Sequence, residues 1–543
     1  MTWCRQRGTV WRLALWATCI LPAILFTIVP IGVLVWRALH DGSQPGWSVS
    51  HLPLLGRTLI FSGCVAAAAT LLGTLLGYRL GASTWPGKSL ARVGLLLPLL
   101  IPPYLHAIGW TTLLRAGGPV AALFHSVFGV ETHRLAEAIY SFGGAVLVLT
   151  LAYCPIAVLF IEKSLEWSSP ALVEAAQVFG AGRWRTFVVA RWPYLRPAVA
   201  SSALIVFLLT ASELGVPTIL KVPVFNFEVL TQLAAFNNIT AATLLCAPLV
   251  VAGLLAVAAE RSISGRPVEQ ESSDIEQPRP ASFGMVATNT LLVVGVVLLS
   301  LGAPLGAIVA EGLDTKALTA MARVAAEPAW STLRYVAGVV IALLAISLGL
   351  TVALRNGPRL LNRFTDAVLS IGFAVPSTIL ALGLLAAYDR PGIARPFSPA
   401  VLVMAAIVGR YTIVGLRVVQ QARNQIPSDL FDAAAIAGAG PLAQLIHIAL
   451  PLMRVGLLVV VLMSIVVASA EIGSTILLHA PGEETLPIAL YAIEANSPRS
   501  YVAALSLIQL SLLGAATLII VLLSTISFRA GSARRRRNMG SNN

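Results

Sequence analysis

Two acidic residues lie inside long apolar stretches of the sequence, where a charge is costly. Glu213 occurs in ELGVPTIL, and Glu471 occurs in EIGSTILL, 258 residues later. Intramembrane carboxylates usually face a bundle interior or a water-filled cavity, and they often mark the route of a transported substrate or ion. Glu213 and Glu471 are therefore candidates for lining the outer part of a translocation path or its gate. Hydrogen-bonded packing near the membrane interface is the alternative interpretation.

Arg410 also falls within an apolar stretch, but it has no counterpart, because Ala152 occupies the position 258 residues earlier. A buried guanidinium needs a partner or contact with water. Glu471 is a candidate partner, and a water-filled cavity or a position near the end of a membrane span are the alternatives. We assign Arg410 to the same candidate path.

The sequence lacks residue patterns typical of catalysis or metal binding. The seven histidines are scattered, and the five cysteines show no CxxC or CxxH spacing. The segment GASTWPGKS, residues 81–89, differs from a phosphate-binding loop, which needs four residues between its glycines and a preceding strand. We therefore expect no catalytic residues, no metal site, no cofactor and no ATPase site in this chain, and a membrane-embedded enzyme is disfavoured.

The composition predicts a membrane protein. Of the 543 residues, 57% are hydrophobic and only 11% are charged, whereas soluble domains carry about 25% charged residues. Apolar runs recur that are long enough to cross a bilayer as helices, and sustained period-two alternation typical of a barrel is absent. We predict an all-α polytopic fold with about twelve transmembrane helices in two homologous six-helix halves. The predicted spans are 13–36, 58–78, 93–113, 137–160, 198–218, 240–259, 285–309, 332–354, 366–387, 400–419, 456–478 and 501–526.

A polar segment rich in Pro, Ser and Glu, residues 261–282, predicts a cytoplasmic linker. It separates a first half, residues 1–260, from a second half, residues 283–543. The net charge of +13 would suit nucleic acid, but basic residues flank the predicted spans and therefore indicate membrane orientation. We expect contact with membrane lipid, no nucleic-acid partner, and both termini in the cytoplasm.

A moderately polar stretch between predicted spans occurs once in each half. The first reads EAAQVFGAGRWRTFVVARWP and the second, 258 residues later, reads DAAAIAGAGPLAQLIHIALP. The small residues permit close approach of another backbone, and the glycine should end a short helix. A second short helix should follow and stop near Pro193 or Pro451. The shared positions are Glu174, Ala175, Ala176 and Gly180 in the first stretch, and Asp432, Ala433, Ala434 and Gly438 in the second.

Earlier positions repeat with a larger spacing of 274 residues. Thr58 corresponds to Thr332, and Pro102 corresponds to Pro376. An internal repeat on this scale is typical of a transporter built from two related halves.

The two polar stretches resemble the EAA loop of type I ABC importer permeases, the binding-protein-dependent inner-membrane components. The second departs from the family pattern at Asp432, which replaces the usual glutamate. The resemblance implies that each loop docks into one copy of an ABC ATP-binding subunit, so that two copies bind. It also implies a periplasmic or extracellular substrate-binding protein as partner, and a multi-pass location in a bacterial cytoplasmic membrane.

The substrate is indicated by resemblance alone. Fusion of two permease halves is common in the ferric-iron and thiamine branches of this family. The segment PLLIPPYLHAIGW, residues 98–110, resembles the ferric-iron branch. The resemblance therefore implies import of ferric iron, with thiamine, polyamine or phosphonate as alternatives. An ion-coupled secondary transporter would explain the two glutamates but would leave the matched loops unexplained.

Overall fold

The computed structural model describes residues 2–40, 51–129, 131–165, 170–236, 238–264, 279–280, 282–355, 357–388 and 397–540. Regular structure in these ranges is helical, apart from a two-residue pairing of Ser83–Thr84 with Arg279–Pro280. Most of the predicted linker lies outside the described residues, so the division of the chain at residues 261–282 stays a prediction.

Twelve segments in the described ranges are long and apolar enough to cross a membrane: ten single helices and two bent helix pairs. Spans 1 to 6 are Trp11–Arg37, Leu52–Ala82, Lys88–Leu100 with Pro103–Leu114, Phe142–Leu165, Trp184–Ala211 and Ile239–Ile263. Spans 7 to 12 are Phe283–Gly312, Thr315–Leu354, Arg359–Ala374 with Ser377–Tyr388, Pro399–Asn424, Leu442–Ala470 and Arg499–Ser524. Each overlaps one predicted span, which confirms the all-α polytopic fold.

Spans 3 and 9 are broken, although each apolar run predicts one helix. Their two parts meet at 96° in span 3 and at 104° in span 9. Pro102 and Pro103 stand at the first break, and Pro376 stands at the second. Proline lacks an N–H and clashes with the preceding turn, so a straight helix does not run through these positions. The breaks occupy equivalent points of the two halves.

Spans 5 and 11 end earlier than predicted, at Ala211 and Ala470. Glu213 and Glu471 therefore lie just beyond the ends of these spans, in short irregular stretches, and not within the helices as the sequence suggested. Short helices follow these stretches at Gly215–Ile219, Phe225–Ala234, Thr475–Leu478 and Leu486–Glu494. Other helices between spans are Pro119–Phe128, Thr132–Ile139, Pro170–Val178 and Ser428–Ile436.

The first span of each half packs against the other half. Gly109 of span 3 lies against Pro304 of span 7, and Gly383 of span 9 lies against Pro30 of span 1. The glycines are 274 residues apart, as are the prolines, so the same contact is made twice. The two largest buried apolar clusters each contain residues from both halves. The halves are therefore interlocked.

Gly109→Ala is expected to disrupt this interlocking. The added methyl carbon would lie 2.5 Å from both the Cβ and the carbonyl oxygen of Pro304. Overpacking of this kind costs about 1–3 kcal/mol, so we expect a lower thermal unfolding midpoint in detergent. Gly306→Ala on span 7 is the matched control, because its methyl carbon would meet no atom within 4 Å. Equal midpoints for the two variants would contradict the contact.

Candidate coupling loops and translocation path

The first repeated stretch forms a helix that ends in a tight turn. The helix Pro170–Val178 is followed by Gly180, whose φ is +76°. The Ala181 N–H donates to the Ala176 carbonyl at 2.9 Å, and the Gly180 N–H donates to the Gln177 carbonyl at the same distance. This pair of hydrogen bonds is the Schellman motif, which satisfies carbonyls that a helix end would leave unpaired. Glycine adopts the required positive φ without steric cost.

The second repeated stretch has the same geometry. Its helix is Ser428–Ile436, and the φ of Gly438 is +82°. The Ala439 N–H donates to the Ala434 carbonyl at 2.9 Å. Both glycines therefore end their helices, as the sequence predicted.

The acidic residue and the first alanine of each loop face outward. Exposed or partly exposed positions are Glu174, Ala175 and Ala176 in the first loop, and Asp432, Ala433 and Ala434 in the second. The residue before each acid is buried: Val173 in one loop and Phe431 in the other. The guanidinium groups of Arg355 and Arg423 lie 4.7 and 3.9 Å from the Phe431 ring centroid. One side of each loop thus packs against the rest of the protein, and the other side is exposed.

Each loop continues into the next span. A π-helical turn at Phe187–Arg191 leads into the rest of span 5, and the turn Leu445–Ala449 does the same in span 11. The expected stops at Pro193 and Pro451 are therefore wrong. A π turn carries one extra residue, and such insertions accommodate prolines at kinks in a continuing helix. The loop and the span beyond it are one connected helical unit.

Large apolar side chains beside the glycine turns are exposed. In the first loop Phe179 is 90% exposed, and Trp184 is 76% exposed. In the second loop Ile436 is 89% exposed, and Leu442 is 68% exposed. Exposed apolar side chains that cluster on a surface mark contacts with proteins or membranes.

Glu213 and Glu471 each cap the short helix that follows their span. The Val216 N–H donates to the Glu213 carboxylate at 3.2 Å, and the Ser474 N–H donates to the Glu471 carboxylate at 3.0 Å. A carboxylate in this position satisfies an N–H at the helix start. A Cβ at Gly215 would lie 3.2 Å from Glu213 Oε1 and 3.1 Å from Cδ1 of Ile472, the residue after Glu471. The fold therefore brings the two glutamate-bearing stretches together between the halves.

Arg410 lies in the same region, but it does not pair with Glu471. Its guanidinium is 2% exposed and donates to the Ser212 hydroxyl at 2.6 Å and to the Leu208 carbonyl at 3.5 Å. The suggested ion pair with Glu471 is therefore wrong. Span 5 ends just before Ser212, so its carbonyls and the Ser212 hydroxyl are available to the arginine from span 10.

Two tyrosines that the sequence analysis missed stand beside these charges. The Tyr153 hydroxyl donates to the Glu213 carboxylate at 3.2 Å. Tyr411 follows Arg410 on span 10, and the guanidinium lies 5.4 Å from its ring centroid. The two tyrosines are 258 residues apart. Applying the repeat offset to aromatic residues within the spans would have found them.

A third tyrosine lies at the contact between the halves. The Gln509 amide donates to the Tyr104 hydroxyl and, at 3.2 Å, to the Ser469 carbonyl. A Cβ at Gly215 would lie 3.0 Å from Tyr104 Cβ and 3.1 Å from Ile472 Cδ1. The irregular stretches after spans 5 and 11 therefore pack against each other directly. We call Glu213, Glu471, Arg410, Tyr104, Tyr153 and Tyr411 the polar cluster.

A pair of threonines holds the helices that follow the polar cluster. The Thr58 hydroxyl accepts from the Phe225 N–H at 2.8 Å, and the Thr332 hydroxyl accepts from the Leu486 N–H at 2.9 Å. These equivalent bonds attach the start of each helix to span 2 or span 8.

Thr58→Val is expected to lower stability, because it removes the buried hydrogen bond that the Thr58 hydroxyl accepts from the Phe225 N–H. A hydrogen bond of this kind contributes about 0.5–1.5 kcal/mol. The measurement is the thermal unfolding midpoint of the chain in detergent. Thr288→Val is the control, because Thr288 is exposed and its hydroxyl donates only to its own helix. A midpoint for Thr58→Val as high as that of the control would show that this bond contributes nothing.

Residues 345–538 match a sequence family described as "Binding-protein-dependent transport system inner membrane component". The matched segment contains the second repeated loop, Glu471 and Arg410. This segment, about a third of the chain, is similar to a permease domain of this family. The resemblance to type I ABC importer permeases, inferred from the repeated loops, is thereby confirmed.

Several curated relatives of this permease carry transport names. The ferric transport system permease protein FbpB of Actinobacillus pleuropneumoniae is 28% identical over 167 residues, which cover 31% of this chain and 24% of the relative. The Fe(3+)-transport system permease protein FbpB 2 of Haemophilus influenzae is 27% identical over 299 residues, with 53% and 54% covered. The molybdenum transport system permease protein ModB of Escherichia coli K12 is 30% identical over 145 residues, with 26% and 60% covered. The permease thus spans at most about half the length of these ferric relatives.

Proposed function

We propose that this permease forms the translocation path of an ATP-driven importer for ferric iron. The observation that carries the proposal is the pair of matched loops, each an exposed helix ended by a glycine with positive φ. Each loop would bind one copy of an ABC ATP-binding subunit, so that two copies bind. The docking residues would be Glu174, Ala175, Ala176 and Gly180 for one copy, and Asp432, Ala433, Ala434 and Gly438 for the other.

The continuous helix behind each loop supports coupling between ATP and transport. Span 5 has 28 residues, about 42 Å at 1.5 Å per residue, and it joins the first loop to Ser212 and Glu213. A movement of the docked ATPase would therefore reach the polar cluster through a continuous helix. Alternating access would follow as one half rocks against the other. Glu213, Glu471 and Arg410 would line the path.

The proposed location is a bacterial cytoplasmic membrane, with the loops, the linker and both termini in the cytoplasm. An ATPase partner requires the loops on that face, and the basic residues that flank the spans agree with it. A periplasmic or extracellular binding protein would deliver substrate to the opposite face. The chain itself would supply no cofactor and no ATPase site.

Ferric iron is favoured as substrate by two of the relatives named above and by the segment at residues 98–110. A second candidate is an oxyanion, because another relative is named for molybdenum and because Arg410 provides a buried guanidinium. Thiamine, polyamines and phosphonate stay as alternatives from sequence resemblance alone.

The test is uptake into proteoliposomes that contain the permease with its ATPase and binding protein. Iron(III), molybdate, sulfate and thiamine are compared, with and without ATP on the side of the loops. We expect uptake of iron(III) that requires ATP and persists when a protonophore collapses the ion gradient. Uptake that needs no ATP and stops with the protonophore would indicate a secondary transporter instead.

A further inference from the structure

Three buried oxygen atoms near Glu471 have no hydrogen-bond partner. They are the hydroxyls of Ser474 and Thr378, which are fully buried, and the side-chain carbonyl of Gln509, which is 2% exposed. A Cβ at Gly473 would lie 3.0 Å from Thr378 Cγ2 and 3.4 Å from the Glu471 carboxylate. Thr378 and the Glu471 carboxylate therefore both border Gly473. Unpaired buried polar atoms are costly, and a group that binds them relieves the cost.

The charges of the polar cluster favour a cation. The polar cluster contains two carboxylates, those of Glu213 and Glu471, and a single guanidinium, that of Arg410. Arg410 is hydrogen-bonded to Ser212 and Leu208, and Glu471 takes part in no ion pair among the residues described. Both glutamates lie at the contact between the halves, because a Cβ at Gly215 would lie 3.2 Å from Glu213 Oε1 and 3.1 Å from Cδ1 of Ile472, the residue after Glu471. Like charges placed there repel, and a cation between them converts repulsion into attraction, whereas an oxyanion would meet two negative groups.

The donor atoms around this position are oxygens. Tyr153 donates to Glu213, and its repeat counterpart Tyr411 lies beside Arg410. The site therefore offers oxygens of four kinds. They are the carboxylates of Glu213 and Glu471, the phenols of Tyr153 and Tyr411, the alcohols of Ser474 and Thr378, and the side-chain carbonyl of Gln509. Hard cations select oxygen ligands, whereas softer metals select sulfur or imidazole.

From this geometry we propose that the polar cluster is a transit site for an unchelated trivalent cation inside the membrane. Glu213 and Glu471 provide the charged ligands, and Tyr153, Tyr411, Ser474 and Thr378 provide further oxygens. The proposal rests on the proposed import function and deepens it, because it assigns substrate contacts to specific residues.

Arg410 has a defined role in this site. Conduction requires a site that attracts the ion strongly enough to admit it and weakly enough to release it. Two carboxylates alone would hold a trivalent ion tightly. The fixed positive charge of Arg410, which occurs in one half only, lowers that affinity so that the ion leaves in the next step.

The direct test is binding of terbium(III) to the purified full-length permease in nanodiscs, followed by luminescence excited through tyrosine. An outer-shell partner of a metal is worth 10–100-fold in affinity, and a charged ligand is worth at least as much, so Glu213→Gln with Glu471→Gln should weaken binding by more than about 100-fold. Glu131→Gln is the matched control, because Glu131 is an exposed carboxylate in the connection after span 3. Equal affinity of the double variant and the control would overturn the proposal.

A second variant tests the sign of the charge effect. The double variant alters two helix-capping side chains, so its unfolding midpoint is measured alongside, and Arg410→Gln gives an independent result. We expect Arg410→Gln to bind terbium(III) about tenfold more tightly, because a unit positive charge has left the site. Weaker terbium binding by Arg410→Gln, or saturable molybdate binding by the wild type that Arg410→Gln abolishes, would overturn the cation site. Either result would leave ATP-driven uptake by the wild type intact, so failure of this inference is distinguishable from failure of the proposed function.

Discussion

The variant Gly180→Val with Gly438→Val is expected to lose ATP-driven transport. Both glycines have positive φ and form Schellman turns beside the exposed faces of the loops. A β-branched residue is disfavoured in this conformation, and the left-handed region costs an ordinary residue about 1–2 kcal/mol. The turn would have to rearrange and displace the docking surface. We expect association with the ATPase to weaken at least about tenfold, measured by co-purification from membranes.

The matched control for this prediction is Gly182→Val with Gly440→Val. These glycines lie two residues after the turns, have no positive φ, and would place a Cβ in open space. They should retain the ATPase and transport. If the Gly180 and Gly438 double variant still binds the ATPase as the control does, the loops are not the docking sites.

Replacing both glutamates, Glu213→Gln with Glu471→Gln, should reduce iron(III) uptake while the ATPase stays bound. Glutamine retains a side-chain oxygen for the Val216 and Ser474 N–H groups, so the helix caps persist. The negative charge, however, is gone. Hydrogen bonds and ligand contacts to charged groups are worth about 1.5–3 kcal/mol, which corresponds to a loss of uptake of at least about tenfold.

The measurement is initial uptake rate in proteoliposomes, paired with ATPase activity in the same preparation. Glu131→Gln serves as the control for removal of one exposed carboxylate outside the polar cluster. Normal uptake by the double glutamine variant would remove both residues from the path and leave them as helix caps only.

The number and order of the spans could be predicted from hydrophobic runs, because long apolar helices leave a strong compositional signal. Their breaks and ends could not. Pro102 and Pro376 were visible in the sequence, but an apolar run on both sides of a proline is compatible with a kinked helix or with a broken one. Span 5 ends at Ala211, two residues before Glu213, whose carboxylate accepts from an N–H of the next helix. That contact leaves no pattern in the sequence.

The candidate loops were predictable because the residues that determine their shape are close together in the sequence. A glycine at a fixed distance from an acidic residue and two alanines already specifies a helix end, and Gly180 and Gly438 have that conformation. The surroundings of Arg410 were not predictable, because its partner Ser212 lies on the other half. The two residues are about 200 positions apart, and no sequence pattern indicates a contact over that separation. Opposite charge was the only criterion for a partner, and it favoured Glu471.

The most direct test of the account is the mass of the intact complex purified through a tag on this 57.1 kDa chain. Native mass spectrometry should find two ATPase copies per permease chain, and one copy when Gly180→Val alone removes the first docking loop. A wild-type complex that contains one ATPase copy or none would contradict the claim that the two repeated loops are two docking sites.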